Sequence, residues 1–554
     1  MKRRIALALA VCATACAPDE GPPDVAASPP LGQEEQGVDT LATPSEQNAI
    51  RFLEQATFGP RLARGASPLP LDSVEQVVAV GVPASITAQF NAPRSTFDPA
   101  AVPDLGSQFF SNAIQGQDQL RQRVAFALSQ VFVVSQNGIP NPPTPENEPR
   151  LAMAGYLNLL SQRAFGNFRQ LLEAITLDPA MGTYLDMANN KAFKGNGQRV
   201  EPNENYAREM LQLFTLGLHQ LDEDGTQKLD ANGAPIPAYS EAHVQAFAAA
   251  LSGWTYASAT GCPARGGSNP ANYPAPMIGC DVNHDGRAQL LLRGQLTTAG
   301  AGAAQHLQEA LDNVFADPNV PPFICKQLIQ HLVTSNPSPA YVQRVVNAFK
   351  DDGTGVRGNL RFVVRRIIED VEARGPTPSS ALQASYGHLR SPALFVTTLV
   401  RWLGGTLDTT DGKDPGARLS TWSRNLGQYV PRPPSVFSYY PPNAPAPGAN
   451  GLLGPEFAIL DTATITARAN FVHEFLYTGA AANAGIVIDL NAVPAPPTDL
   501  VTWLDRYLLH DTMSADLQLI LQNALADSRA GDALRTKKLA LYLTTLSPEF
   551  QIQR

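Results

Sequence analysis

Apolar residues recur every three to four positions along most of the chain, so the sequence predicts a mainly helical protein. In the first such segment Ile50, Leu53 and Ala56 share one face, and Ser45 stands where a helix cap is expected. The same spacing predicts further helices near residues 118–135, 149–162, 167–176, 203–218, 240–253, 303–315, 322–334, 339–350, 358–371, 380–403, 457–478, 511–527 and 531–546. The expected fold class is therefore all-α.

Signals for β-structure are sparse and concentrate at two turns. Asp224-Gly225 and Asn232-Gly233 are pairs that favour tight turns, so residues 221–233 predict a minor β-hairpin. Two long segments, 255–300 and 405–456, are dense in Gly and Pro and predict irregular loops that are either functional or held in place by other contacts. We expect one large helical domain over residues 46–554.

The N-terminus has the pattern of an export signal. A basic Met-Lys-Arg-Arg start is followed by the apolar segment Ile5–Ala15, which predicts a signal peptide over residues 1–15. Cys16 follows two small residues, as at a bacterial lipoprotein cleavage site, where the thiol is acylated and the only membrane attachment is a lipid anchor. The alternative is cleavage elsewhere and free secretion. Residues 16–45, rich in Pro, Gly and acidic residues, predict a flexible tether.

Charge and cysteine content narrow the function further. The chain has 50 acidic and 41 basic residues, a net charge of −9, with no basic stripe in the sequence, which argues against nucleic-acid binding. Cys262 and Cys280 lie 18 residues apart in a loop of an exported protein, so we expect them to form a disulfide worth about 3 kcal/mol. Cys325 lies in an apolar run and is expected to be a buried thiol.

The helix beginning at Asn203 is the first candidate site. Glu204 and Arg208 are four residues apart and therefore neighbours on a helix, and Glu209 lies beside them in sequence. One interpretation places Glu204 and Glu209 in a cleft as acid–base or metal-binding groups held by Arg208. The alternative, a polar network that fixes this helix to its neighbours, is favoured because such networks are common.

The turn at residues 281–286 is the second candidate. Asp281, Asn283 and Asp285 stand at alternate positions before a Gly, as in the first half of a calcium loop, although the twelfth position is Leu292 instead of Glu. A looser site for calcium or another divalent metal is one interpretation. His284 is also a candidate base or metal ligand oriented by Asp285. The alternative is a solvated turn held by the 262–280 disulfide.

Several sequence blocks resemble one bacterial family. The most specific is Asn-Glu-Asn-Tyr-Ala-Arg-Glu at residues 203–209, and the others lie at residues 49–60, 249–254, 284–286, 322–328, 389–392, 427–428 and 434–437. In this order they resemble the domain of unknown function 1800 family, from about Ala49 to the end of the chain. The resemblance implies a large, exported, mainly helical protein without an established activity. It also implies a partner, a sulfatase-like exported protein of the domain of unknown function 1501 family.

Two functional hypotheses follow. The first is a cell-envelope protein that binds or assembles with a secreted partner, because no common hydrolase, protease, nucleotide-binding or haem-attachment motif is present. The second is an extracytoplasmic, metal-dependent enzyme whose polar cleft combines Glu204, Arg208, Glu209, His284 and Asp285. The second hypothesis requires these side chains to meet around one cleft.

Overall fold

The computed structural model describes residues 45–100, 104–140, 148–375, 385–449, 451–491, 493–494, 498–526 and 532–554. The expected signal peptide, Cys16 and the tether up to residue 44 lie outside the described residues. No described helix combines the length and the apolar character that crossing a membrane requires.

The described residues are mostly helical, which confirms the predicted fold class. The helices of the first half are α1 Glu46–Ala56, α2 Val74–Val80, α3 Val82–Asn91, α4 Leu105–Gln115, α5 Gln119–Val131, α6 Pro149–Arg163, α7 Phe168–Thr176, α8 Pro179–Tyr184, α9 Asn205–Gln212, α10 Glu241–Ala250, α11 Ala303–Phe315 and α12 Val320–Leu332. Those of the second half are α13 Pro339–Lys350, α14 Leu360–Glu369, α15 Val371–Arg374, α16 Pro392–Trp402, α17 Pro415–Asn425, α18 Thr462–Tyr477, α19 Ala480–Asn483, α20 Thr498–Leu508, α21 Ala515–Ala526, α22 Ala533–Thr545 and α23 Pro548–Gln551.

Among the described residues, six two-residue strands pair antiparallel into three small sheets. They are β1 Trp254–Thr255 with β2 Ile278–Gly279, β3 His388–Leu389 with β6 Ile552–Gln553, and β4 Thr406–Leu407 with β5 Ile486–Val487. The pairing of β3 with β6 places the C-terminus beside the segment that leads into α16. The predicted hairpin is present as three antiparallel arms, with bridges from Leu221 to Gln227 and from Leu229 to Pro235.

Local sequence signals explain many helix ends. Ser45 Oγ accepts a hydrogen bond from the backbone N–H of Asn48 at 3.2 Å, so the predicted cap is confirmed. The predicted helices 303–315 and 339–350 have the same bounds in the structure. The predicted helix 203–218 ends earlier, at Gln212, because Leu216 and Gly217 both donate to the carbonyl of Leu211 and Gly217 adopts a φ of +76°.

Other predictions need correction. Segment 405–456 is not irregular throughout, since it contains α17, which Asp414 caps by accepting from Ala417 N–H at 2.9 Å. Of the predicted helix 380–403, residues 380–384 lie outside the described residues; in the described part the helix begins at Pro392, because proline is favoured in the first turn and β3 precedes it. The pattern also missed the helices at 74–80, 82–91, 105–115 and 498–508.

Packing joins distant parts of the chain into one core. A single cluster of buried apolar side chains extends from Ala49 to Phe550. Glu54 of α1 and Arg390, just before α16, form an ion pair with both side chains almost fully buried. Cys325 is a buried free thiol, as predicted.

The long irregular segment 255–300 is closed by an internal disulfide and is hydrogen-bonded to the end of α7. Cys262 and Cys280 form the predicted disulfide, with their Cα atoms 5.5 Å apart. Met277 N–H donates to the carbonyl of Leu177, directly after α7, at 2.9 Å. These contacts fix the position of residues 273–276, which form one wall of the site described below.

Candidate functional site

The predicted site residues Glu204 and Arg208 form a surface ion-pair network. Arg208 lies 2.6 Å from a Glu204 oxygen and 2.8 Å from an oxygen of Glu241, at the start of α10. Hydrogen bonds to Glu241 and Glu204 raise the pKa of the Arg208 guanidinium. The carboxylates of Glu204 and Glu241 are therefore both paired with Arg208. This arrangement corresponds to the alternative given above, a polar network that joins α9 to α10.

Glu209 differs from its neighbours because one oxygen of its carboxyl group is buried without a hydrogen-bond partner among the described residues. The side chain is buried, and Oε2 has no hydrogen-bond partner within the described part of the chain. Burial raises the pKa of Glu209. Burial also raises the pKa of Tyr184, with a further contribution from the charge of Glu209, so the two groups are neighbours.

The three candidate metal ligands of the 281–286 turn have separate partners. Asp281 Oδ1 accepts from Ala303 N–H, at the start of α11, at 2.8 Å, and Asn283 Oδ1 accepts from Gly266 N–H at 2.6 Å. Asp285 is paired with Arg199 at 2.6 Å and with Arg287 at 2.7 Å. Although burial opposes it, hydrogen bonds from these arginines lower the pKa of Asp285 to about 2. Among the described residues no group of three His, Cys, Asp or Glu could hold a metal ion, so the calcium hypothesis gains no support.

His284 is enclosed in a chain of hydrogen-bonding groups. Its Nδ1 lies 2.9 Å from the carbonyl oxygen of Ser252, and its Nε2 lies 2.9 Å from Nδ1 of His306. His306 Nε2 in turn lies 2.8 Å from the carbonyl oxygen of Thr298. Both rings are buried, and burial lowers the pKa of His284. Neither ring nitrogen of His284 is free to contact a substrate or a metal.

The two predicted segments are backbone neighbours, yet their side chains point to different partners. Asn190 Oδ1 accepts from Asn203 N–H at 2.7 Å, and the carbonyl of Asn190 accepts from Gly253 N–H at 2.7 Å. Gly253 lies against His284, because a Cβ added there would be 2.8 Å from the His284 Cβ. The five residues of the enzyme hypothesis thus have separate hydrogen-bond and ion-pair partners although their segments pack together, and a cleft that they share stays a prediction.

An open cleft lies next to this region. It has a volume of about 730 Å³ and is bounded by α6, by α7 and the turn after it, and by residues 273–276 of the disulfide-linked segment. Its lining residues are Arg94, Thr96, Gly155, Asn158, Leu159, Gln162, Arg163, Gln170, Glu173, Ala174, Leu177, Asp178, Pro179, Tyr273, Pro274, Ala275 and Pro276. This volume lies in the range of small-molecule binding sites.

Asp178 is the chemically distinctive group of the cleft. Its Oδ1 accepts from the N–H groups of Ala180 and Met181 at the start of α8, at 2.8 and 3.4 Å. Burial raises the pKa of Asp178 to about 7, although these two hydrogen bonds oppose the shift. A carboxyl group with a near-neutral pKa in a cleft is able to donate or accept a proton under ordinary conditions.

Gly155 leaves space in the wall that α6 contributes. It lies inside α6, lines the cleft, and a Cβ added there would have no heavy atom within 4 Å. Glycine inside a helix is unfavourable relative to alanine by about 0.5–1 kcal/mol. The residue is thus not required by packing, and its small size keeps this part of the cleft open.

Sequence reasoning missed the cleft because its walls come from separate segments. The Asp178-Pro179 pair is a recognisable helix-start signal, since Asp is a favoured cap and Pro a favoured first residue. That signal identifies α8, but it contains no information about the residues that surround the carboxyl group. The irregular segment 255–300 was the stronger indication, since it was expected to be functional or held in place.

Fold and site together define a class, a large helical protein with a ligand-sized cleft walled partly by a disulfide-linked loop. The chain belongs to the family described as "Protein of unknown function (DUF1800)", whose model matches residues 51–552. This match confirms the family that the sequence blocks indicated. No curated protein matches the chain, and no solved structure does.

Proposed function

We propose that this protein binds a polar organic ligand in the cleft beside Asp178 and does so outside the cytoplasm. The observation that carries the proposal is the cleft of about 730 Å³, which combines a wall formed by Tyr273, Pro274 and Pro276 with polar or charged side chains at about half of its lining positions. The open space at Gly155 adds to it, because a helix-favouring residue would fit there without a clash. The proposal retains the binding-protein hypothesis and gives it a location.

Binding in the cleft is tested by a substitution at Gly155, where a larger side chain would fill the cleft. Gly155→Trp places a large side chain in the cleft, whereas the matched control Gly155→Ala changes only the helix backbone and one methyl group. Binding of defined oligosaccharides, neutral and acidic, is measured by calorimetry. We expect at least one to bind wild type and Gly155→Ala but not Gly155→Trp. If every oligosaccharide that binds wild type binds Gly155→Trp with the same affinity, the cleft is not the binding site.

Export is part of the same proposal. Its support is the basic and apolar start of the chain, the position of Cys16, and the 262–280 disulfide, which is favoured in oxidising compartments. Incorporation of labelled palmitate and recovery in the membrane fraction are expected for the wild-type chain and not for Cys16→Ser. If wild type and Cys16→Ser are both recovered in the soluble fraction and neither carries labelled palmitate, the protein is freely secreted and has no lipid anchor.

The partner implied by the family resemblance remains a proposal as well. We infer that the protein works with a sulfatase-like exported protein of the domain of unknown function 1501 family. Mild detergent extraction and purification of the tagged full chain should recover that protein in a fixed ratio. Its absence from repeated purifications under crosslinking conditions would remove the assembly part of the proposal.

A second candidate function is catalysis in the same cleft. The observation that favours it is Asp178, which accepts both of its backbone hydrogen bonds through Oδ1 and whose pKa is raised to about 7 by burial. A ligand found in the binding experiment is incubated with wild type and with Asp178→Asn. Loss of turnover with retained binding in the variant would establish an acid–base role, whereas an unchanged ligand with both proteins indicates binding alone.

A further inference from the structure

Arginines without ion-pair partners gather at the edge of the cleft and on the surface beside it. Arg94 and Arg163 line the cleft, and Arg361 is exposed on α14. None of the three forms an ion pair with a carboxylate of the described residues, and Arg94 Nη1 makes only a long contact, at 3.5 Å, with the carbonyl of Asn158. In a chain with more acidic than basic residues, three unpaired guanidinium groups on one side are unexpected.

An aromatic pair carries Arg361 on one ring and a fourth arginine, Arg121, on the other. The rings of Phe90 and Phe165 lie edge to face, with centroids 4.6 Å apart. The guanidinium of Arg361 lies 4.6 Å from the centroid of Phe90, and that of Arg121 lies 4.5 Å from the centroid of Phe165. Stacking on the aromatic face fixes the direction of the Arg361 guanidinium and leaves its N–H groups available, whereas Arg121 donates to the carbonyls of Ser161 and Phe90.

The electrostatics indicate how crowded the positive charges are. Burial lowers the pKa of Arg121; the charge of Asp118 opposes this shift, whereas the neighbouring charges of Arg94 and Arg361 increase it. Like charges held together are unfavourable until an anion joins them. The acids that line the cleft do not supply that anion, because Glu173 is paired with Arg169 at 2.9 Å and Asp178 accepts from the backbone at the start of α8.

We propose that the cleft and the adjoining guanidinium groups of Arg94, Arg163 and Arg361 form one continuous binding surface for an acidic polysaccharide. Carboxylate or sulfate groups along the polymer would pair with the arginines, and its hydroxyl groups would contact the exposed amides of Gln162 and Gln170. The inference rests on the proposed function, since it names the ligand class of the same cleft.

Other polyanions fit this surface less well. Phe90 is 3% exposed and its ring is covered by guanidinium groups, so it offers no face on which a nucleic-acid base could stack. Arg163 lies in a concave cleft that a flat bilayer surface cannot enter. A flexible chain of sugars with regularly spaced charges reaches both the cleft and the exposed Arg361.

The experiment compares a charged and an uncharged polymer on the full chain. Oligomers of polygalacturonate and of dextran are titrated into wild type, the double variant Arg94→Gln/Arg361→Gln, and the control Arg366→Gln. Arg366 is exposed on the same helix but is turned about 140° away from Arg361. We expect polygalacturonate to bind wild type and the control equally, to bind the double variant at least about tenfold more weakly, and to weaken with added salt.

Several results would overturn the inference. If dextran binds as tightly as polygalacturonate, or if the double variant binds polygalacturonate as tightly as wild type, charge recognition is refuted. Binding in the cleft would still stand in that case, provided that Gly155→Trp blocks it. Arginine-dependent binding that Gly155→Trp does not alter would refute the cleft, and with it the proposed function. Tighter arginine-dependent binding of phosphatidylglycerol vesicles or of a DNA oligonucleotide would assign the surface to that other polyanion.

Discussion

Asp178→Asn should stabilise the protein at alkaline pH and leave it nearly unchanged at acid pH. Asp178 caps α8 through Oδ1, and asparagine is an equally good cap, so the variant keeps both backbone hydrogen bonds. What it removes is the ionisation of a buried carboxyl group. The amide has nearly the same shape, so any pH-dependent difference between the two proteins reports on that charge.

The magnitude follows from the raised pKa. Burial moves the pKa of Asp178 from 3.8 to about 7 in the folded protein. The folded state therefore binds the proton more tightly than the unfolded state, and wild-type stability falls as the pH rises from about 4 to about 7. A difference of about three pKa units corresponds to roughly 4 kcal/mol. Because a chain of this size unfolds with a large entropy, the corresponding shift in Tm is only about 4 °C.

The assay is urea unfolding of wild type and Asp178→Asn at pH 4 and at pH 8, followed by circular dichroism. The two proteins should unfold at nearly the same urea concentration at pH 4, and the variant should require more urea at pH 8. Taking the difference between the proteins cancels the titration of all other groups. A difference that is the same at both pH values would refute the claim that this carboxyl group is ionised against a burial penalty.

Three further predictions concern the fold. Reduction of the Cys262–Cys280 disulfide should lower the free energy of unfolding by about 3 kcal/mol, measured by urea titration with and without reductant; an unchanged midpoint would show that the loop is held by other contacts. Glu54→Gln leaves the buried Arg390 without its anion and should cost about 3–5 kcal/mol. Burial raises the pKa of Glu54, but Arg390 outweighs this effect and lowers the pKa to about 2. The stabilisation by the ion pair should therefore be present above about pH 4.5 and disappear as the pH falls towards 2, which calorimetric scans measure. A Glu54→Gln variant with the wild-type pH profile would contradict this reasoning. Gly416→Ala places a Cβ 2.2 Å from a backbone oxygen of α4 and should lower the Tm, and an unaltered Tm would mean that α17 moves freely against α4.

Where the sequence predicted well, the interactions involved are local. Helices 303–315 and 339–350 follow from apolar spacing and from residues within one turn of each end. The Ser45 cap and the two turns of the three-armed hairpin depend on neighbours only a few positions away. The 262–280 pairing was also accessible, because it joins the only two cysteines of one loop.

The arrangement of the site depended on tertiary structure, because its contacts join residues far apart in sequence. α17 is stabilised by close packing on α4, where Gly416 approaches the backbone of residues some three hundred positions earlier, and no local pattern records that contact. Glu204 and His284 were plausible partners in sequence, but the first pairs with Arg208 and the second with His306. The near-neutral carboxyl of Asp178 likewise comes from burial by surrounding segments, since burial is a property of the packed molecule and spacing along the chain does not encode it.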